Sequence, residues 1–351
     1  MTELAQEILA GEEAWVVGGA LRDELLGRPV VDVDIAVRRP EEAARAYARR
    51  SGGAPFPLSE QHGAWRVALE DGRTVDFTPL RGTIEGDLAT RDFTVNALAR
   101  PLAGGEIVDP SGGLEDVDLR SLRAVTETIF EDDPLRLLRA VRLEDELGFR
   151  IAPLTEELVR LYAHLADRPA GERIVAELER LSAAGFRRLD ELGLLAPLGG
   201  SLERGGLLEA FDSPDFRLAV AFGPELRRYP ISNERKRLLR ALLRAERPPD
   251  RSARAIHRFR RAVEPWALEA LAFVGAPELA PEVEAAREND PDEPLLRGDE
   301  LGLPPGPEIG RLLAAVEEER AAGLLSTREE ALEFVRRSVE GLAEPRSPNG
   351  A

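Results

Sequence analysis

Residues 15–37 read WVVGGALRDELLGRPVVDVDIAV, and the fold is decided there. Trp15-Val16-Val17 is apolar and β-favouring, and Gly18-Gly19 lets the backbone turn sharply and approach a ligand closely. Ala20 to Leu26 suits two helical turns, Gly27 closes them, and Pro29 forbids continuation. The following Asp32-Val33-Asp34-Ile35-Ala36 reads as a second strand. Side chains alternate faces along a strand, so Asp32 and Asp34 project to the same side. Two neighbouring carboxylates repel unless a cation sits between them. An isolated Asp-x-Asp pair also fits a solvated strand face. Behind a strand, a Gly-Gly turn and an Arg-Asp helix, it points to hard oxygen ligands for Mg²⁺, an ion that keeps waters and substrate phosphates in its shell.

The bulk of the chain sets the limits on this reading. Its 351 residues suffice for two or three domains with real cores. A hydrophobic content of 43% with 32% charged residues is that of a soluble globular protein. No apolar run approaches membrane-spanning length, and the first fifteen residues lack a basic region followed by an apolar core. A cytoplasmic protein is therefore expected. The absence of cysteine excludes disulfides and thiolate metal sites. Three scattered histidines (His62, His164 and His257) do not make a histidine-rich centre. A net charge of −18 argues against a protein that coats nucleic acid non-specifically.

GGALRDELLG followed by DVDIAV resembles the signature of the class II nucleotidyltransferases of the DNA polymerase β superfamily. That family contains the bacterial tRNA CCA-adding enzymes and poly(A) polymerases. The rest of the first hundred residues is compatible with it. Residues 1–14 suit an amphipathic helix, and 40–52 suit a helix with a proline start, acids in its first turn and a glycine stop. Ala64 to Leu69 and Thr74 to Phe77 flank Asp71-Gly72 as a hairpin. Asp76 lies on its second strand, where the superfamily can place an acidic group near the metals, so it is carried as a candidate site residue beside its plainer reading as an exposed strand aspartate.

Residues 86–99, GDLATRDFTVNALA, are similar to the family's second motif. Arg91 offers a guanidinium fork to triphosphate oxygens. Asp92 and Asn96, on one face of a helix, suit ribose hydroxyls or the bracing of the motif's own turn. Thr90 stands where the family usually carries another arginine. Only nine residues separate Arg81 from Arg91. Members that complete CCA usually have a longer segment here, so the short one resembles the CC-adding subgroup. VDPSGGLEDVDLRSLRAV, residues 108–125, is similar to the third motif.

IFEDDPLRLLRAVR, residues 129–142, resembles the fourth motif. Its Arg136, Arg139 and Arg142 recur every third residue beside the apolar stripe of Leu135, Leu138 and Val141. By itself such a stripe also fits a solvated helix face. The resemblance implies that Asp133 and Arg136 read the base edge while Arg139 and Arg142 reach phosphates. The chemistry agrees, because cytosine and adenine both present an exocyclic amine beside an acceptor. GERIVAEL, from Gly171, resembles the fifth motif and implies ion pairs that brace the base-reading helix.

Beyond residue 185 the spacing predicts helices throughout. Residues 225–262 hold thirteen arginines and lysines against four acids, a local net of +9. Arg235, Lys236, Arg237, Arg240 and Arg244 would line one helix, with Arg254, Arg258 and Arg261 on the next. This is either an RNA-backbone surface or a solvated face.

The expected architecture is α+β, a small polymerase-β-like mixed α/β head (1–125) followed by an all-α neck (126–185), body and tail (186–345), and a disordered end (346–351). The resemblance implies a Mg²⁺-dependent nucleotidyltransferase using CTP and ATP on the 3′ end of tRNA, adding CC or CCA. Asp32 and Asp34 would be catalytic metal ligands. Gly18, Gly19, Arg22, Arg91, Asp92, Asn96, Asp133, Arg136, Arg139 and Arg142 would bind nucleotide. The alternatives are a poly(A) polymerase and a non-catalytic RNA-binding relic.

Overall fold

A computed structural model describes residues 1–59, 63–291 and 293–343; His62 and the expected disordered end lie outside them. The first elements are α1 (Thr2–Ile8), β1 (Ala14–Val17), α2 (Gly19–Leu25), β2 (Asp32–Val37), α3 (Pro40–Ser51), β3 (Ala54–Ser59), β4 (Ala64–Ala68), β5 (Thr74–Pro79), α4 (Ile84–Leu88) and β6 (Ala99–Pro101). The six strands form one sheet in the order β3-β4-β5-β2-β1-β6. β2 and β5 run parallel and the other pairs antiparallel.

The expected helix at 40–52 and the 64–77 hairpin are both present. Gly52 takes the left-handed conformation that closes α3 (φ 76°). β3 and β6 were not expected, and both are edge strands containing proline. An edge is where a missing N–H does not interrupt the ladder.

Alternation along β2 sorts its residues. Val33 and Ile35 are buried, and Ile35 pairs in register with Phe77, whose ring packs 5.7 Å from Tyr47 of α3. Asp32, Asp34 and Asp76 occupy the intervening positions and so share the opposite face. A second apolar cluster made of Val17, Ala36, Leu80, Ile84, Leu88, Ala97 and Ala99 fixes α4 and the 94–99 segment against β1 and β2. Each buried Val, Leu or Ile of this cluster contributes roughly 1.5–3 kcal/mol, which holds this part of the site in place.

The chain continues with α5 (Gly113–Asp118), β7 (Ser121–Leu122), α6 (Ile129–Asp132), α7 (Leu135–Leu147), β8 (Arg150–Ile151), α8 (Pro153–Tyr162), α9 (Gly171–Leu178) and α10 (Ala183–Glu191). β7 and β8 form a two-stranded parallel pair. These elements and the sheet belong to one compact unit, residues 1–202 with 228–230. The second unit, 203–227 and 231 onward, is helical among its described residues: α11 (Pro214–Phe222), α12 (Asn233–Arg244), α13 (Ala253–Val263), α14 (Ala267–Phe273), α15 (Ala280–Glu288), α16 (Pro307–Ala321) and α17 (Arg328–Ala343). The fold class is α+β, a sheet-containing head followed by helices. No helix among the described residues is long and apolar enough to cross a membrane.

Candidate functional site

A cavity of about 970 Å³ lies within the first unit. Its walls include every site residue expected from the sequence: Gly18, Gly19, Arg22, Asp32, Asp34, Asp76, Arg91, Asp92, Asn96, Asp133, Arg136, Arg139 and Arg142. It also includes Arg28, Arg66, Glu146, Arg173 and Arg180, which sequence reasoning did not place there. Only Arg173 carried a signal, as part of the expected bracing helix.

The two carboxylates of β2 are held differently. Asp32 is exposed and accepts a 2.6 Å hydrogen bond from Thr74 Oγ1 on β5. Asp34 is half-buried, and no described residue donates a hydrogen bond to it. Burial pushes its carboxyl up to about 6; Arg91 opposes the rise, while Asp76 and Asp32 add to it. A half-buried carboxylate beside two others, short of donors, is a setting that a divalent cation relieves. Hard oxygen donors on one strand face fit that ion. Among the described residues no group of three acids or histidines converges on one point.

Gly18 sits beside them with φ 75°, in the left-handed region that favours glycine. A Cβ there would lie 3.1 Å from Arg91 Nη1 and 3.5 Å from Asp34 Oδ2. Substitution would therefore push into the space between metal-ligand candidate and guanidinium. Arg91 is steadied by Asp87 of α4 through Nε (3.2 Å) and Nη2 (2.9 Å).

Asp92 and Asn96 bracket a 3₁₀ turn (Thr94–Asn96) rather than sharing an α-helical face. Asp92 Oδ1 accepts from the Phe93 N–H (2.8 Å) and Asn96 Nδ2 (3.0 Å), and its Oδ2 from Arg139 Nε (2.9 Å) and Nη2 (2.7 Å). Asn96 Oδ1 accepts from Arg22 Nη1 at 2.6 Å. Of the two roles expected for this pair, the geometry occupies the bracing one. The third motif supports the same turn. Thr94 Oγ1 donates to Asp116 Oδ2 at 2.5 Å, and any Cβ on Gly113 would meet the Thr94 carbonyl at 2.1 Å.

Asp133 lies in extended backbone between α6 and α7, where its Oδ1 accepts from the Leu135 N–H at 3.2 Å. Arg173 of α9 donates to Oδ2 at 2.8 Å. Arg136 Nη2 donates to the Thr90 carbonyl at 2.7 Å, joining α7 to the second motif. Arg142 is buried between Glu177 and Glu146. Arg139 and Arg142 thus reach the cavity already paired with carboxylates, not as an open phosphate stripe.

In the second unit the expected basic surface is smaller than the sequence implies. Arg235 is a correction: it is buried, and its Nε donates to Asp215 of α11 at 2.8 Å. Arg254 and Arg258 pair with Glu319 and Glu318 of α16. Lys236, Arg237, Arg240 and Arg244 remain exposed on α12. The local excess of +9 misleads because counter-ions lie outside that window: Asp215 stands twenty residues before Arg235, and Glu318 and Glu319 stand sixty and sixty-five residues beyond Arg258 and Arg254.

The sequence profile of the poly(A) polymerase head domain matches residues 14–83 and 65–123. A CC-adding tRNA nucleotidyltransferase of Thermus thermophilus is 35% identical over 92% of this chain and 93% of its own length. An A-adding tRNA nucleotidyltransferase of Deinococcus radiodurans is 34% identical over 93% and 96%. Among solved structures, the Bacillus stearothermophilus CCA-adding enzyme in complex with CTP is 28% identical, covers 97% of each chain and superposes with a TM-score of 0.75. The Thermotoga maritima CCA-adding enzyme complexed with tRNA is alike in fold (24% identical, 96% and 93% covered, TM-score 0.70).

Proposed function

The chain belongs to the family of class II CCA-adding tRNA nucleotidyltransferases, and on that premise we propose that it extends the 3′ end of tRNA without a template, taking nucleotides from CTP and releasing pyrophosphate. One observation carries this reading: a single cavity gathers the Asp32–Asp34 pair, the Gly18 turn, Arg91 and the Asp133–Arg136 pair. Residues 1–125 are assigned the transfer step, 126–185 base reading and 186–345 RNA binding, in the cytoplasm.

Asp32 and Asp34 hold the divalent ion of the family, assigned as Mg²⁺. When bound, it activates the attacking hydroxyl and neutralises charge on the leaving oxygen. Backbone at Gly18 and Gly19, with Arg22 and Arg91, receives the triphosphate. Asp133 accepts from the exocyclic amine, and Arg136 donates to the neighbouring ring acceptor. On their Watson–Crick edges uracil has no exocyclic amine, and guanine's stands beside the N1–H donor rather than a ring acceptor. Lys236, Arg237, Arg240 and Arg244 on α12 are assigned to RNA phosphates. In Asp133→Ala, selectivity for CTP over UTP should fall by roughly tenfold or more, since a charged hydrogen bond is worth about 1.5–3 kcal/mol. Unchanged kcat/KM ratios would refute the base-reading role.

The product is assigned as CC. The nine residues between Arg81 and Arg91 fold largely as α4, which Thr83 caps by accepting from the Gly86 N–H. This supports a compact link where longer segments accompany terminal A addition. The test is purified protein with tRNA lacking CCA and tRNA ending in CC, given CTP, ATP or both, and product length read on a gel. Two residues added from CTP, with ATP changing nothing, is the expected result. Three from the mixture, or one A on the CC end, overturns the CC assignment, and an ATP homopolymer indicates poly(A) synthesis.

A further inference from the structure

Asp76 is the candidate third acid of the metal site, and it lies in a distinctive setting. β4, β5 and β2 place Arg66, Asp76 and Asp34 side by side in register, Arg66 opposite Asp76 and Asp76 opposite Asp34. Directly opposed side chains on one sheet face lie about 5 Å apart at Cβ. Left alone, Asp32, Asp34 and Asp76 would form a three-carboxylate patch. Instead Arg66 Nε donates to Asp76 Oδ1 and Nη2 to Oδ2, both at 2.7 Å. Asp76 is 7% exposed while the Arg66 side chain is 34% exposed, so the carboxylate end of the fork is shielded from solvent. Asp34 receives no comparable donor.

Resting on the assignment of Asp32 and Asp34 as the metal-holding pair, we propose that Arg66 withholds Asp76 from the cation, so that the ion is held by two carboxylates and stays weakly bound until the nucleotide's phosphates complete its shell. Affinity for a hard cation rises with the number of charged oxygen ligands. A third carboxylate would hold the ion without nucleotide and retain it after pyrophosphate has left. The guanidinium removes both oxygens of Asp76 from that competition and sets a positive charge beside the patch. Arg66 is thus a positioning residue, acting on the ion through Asp76.

The test uses the full chain with Mn²⁺ as probe. Free ion is followed by electron paramagnetic resonance, with and without a non-hydrolysable CTP analogue. Arg66→Met is expected to bind Mn²⁺ about tenfold or more tighter than the unmodified protein without nucleotide, and to gain little when the analogue is added. The double variant Arg66→Met/Asp76→Asn replaces the pair by neutral groups of similar size and conserves net charge. It should return to within about threefold of the unmodified affinity. A double variant that binds about tenfold more weakly shows Asp76 to be a ligand already, and overturns the proposal. So does a folded Arg66→Met whose affinity is unchanged. If thermal melting shows that Arg66→Met does not fold, the double variant decides. Asp32→Asn/Asp34→Asn separates the two levels. Its binding as the unmodified protein does would defeat the metal-site assignment itself; loss of binding there, with Arg66→Met unchanged, defeats only the role of Arg66.

Discussion

Asp34→Ala should cut incorporation of labelled CTP into tRNA by roughly 10³-fold or more, the equivalent of about 4 kcal/mol of transition-state stabilisation from a bound metal ion. The loss should appear in kcat, because the Asp133–Arg136 pair proposed to read the base is left intact. The fold should not suffer. Asp34 is half-buried without a hydrogen-bond donor among the described residues, and burial holds its carboxyl up at about 6. Removing it takes away an unfavourable charge rather than a brace, so the melting temperature should stay level or rise. Asp32 differs in accepting from Thr74 Oγ1, which ties its loss to the β2–β5 junction as well. If the Asp32→Ala/Asp34→Ala double variant still incorporates label while circular dichroism shows it folded, the transfer mechanism is wrong. If activity falls only in proportion to an unfolded fraction, the carboxylates are structural.

The opposite outcome is expected at Asp92. This carboxylate takes four hydrogen bonds, from Phe93, Asn96 and twice from Arg139. Through Asn96 it reaches Arg22, so one buried chain joins α7, the second motif and α2. Among the described residues Asp92→Ala leaves Arg139 with Glu177, 3.6 Å away, as its remaining ion-pair partner, and frees Asn96 to rotate. Breaking a buried pair by removing one partner costs about 3–5 kcal/mol. Chemical denaturation should show a loss of that order. CTP affinity should weaken too, since Arg22 and Arg139 both line the cavity.

Acid provides an independent check of the same network. Burial alone would raise the Asp92 carboxyl; the charge of Arg139, with the donors on Asn96, Arg139 and Phe93, outweighs burial and holds it at about 2, against an ordinary value of 3.8. A depressed folded value means stability that is fully present above about 4 and is lost as pH falls from there towards 2. Linkage makes this component about 2 kcal/mol. Subtracting the Asp92→Asn curve from that of the unmodified protein should isolate a step in that window. A difference curve flat from pH 5 to pH 2 would show that Asp92 is not held ionised by Arg139.

Much of the site was legible because its geometry is local. Two aspartates separated by one residue share a strand face whatever the rest of the chain does. A Gly-Gly turn after an apolar strand brings backbone to that face. Asp133 before a proline marks the start of a helix whose arginines recur every third residue. The hairpin at 64–77 followed from alternation around Asp71-Gly72. β3 and β6 were missed because prolines in short runs conceal edge strands, and the helix expected across 92–96 closed as a 3₁₀ turn held by the Asp92 side chain.

From its sequence alone this chain resembles the class II nucleotidyltransferases in its ordered motifs, and strand period and turn chemistry, which act over a few residues, put Asp32 and Asp34 on one strand face beside a Gly-Gly turn. Which charges stay available was decided only in three dimensions. Arg66 closes on Asp76, Arg139 on Asp92, Arg173 on Asp133, and Arg254 on Glu319 across 65 residues of chain. A guanidinium looks the same in the sequence whether it meets a substrate or a carboxylate of its own protein. The difference lies in which surfaces burial brings together, because desolvated charges must find partners and those partners come from distant segments.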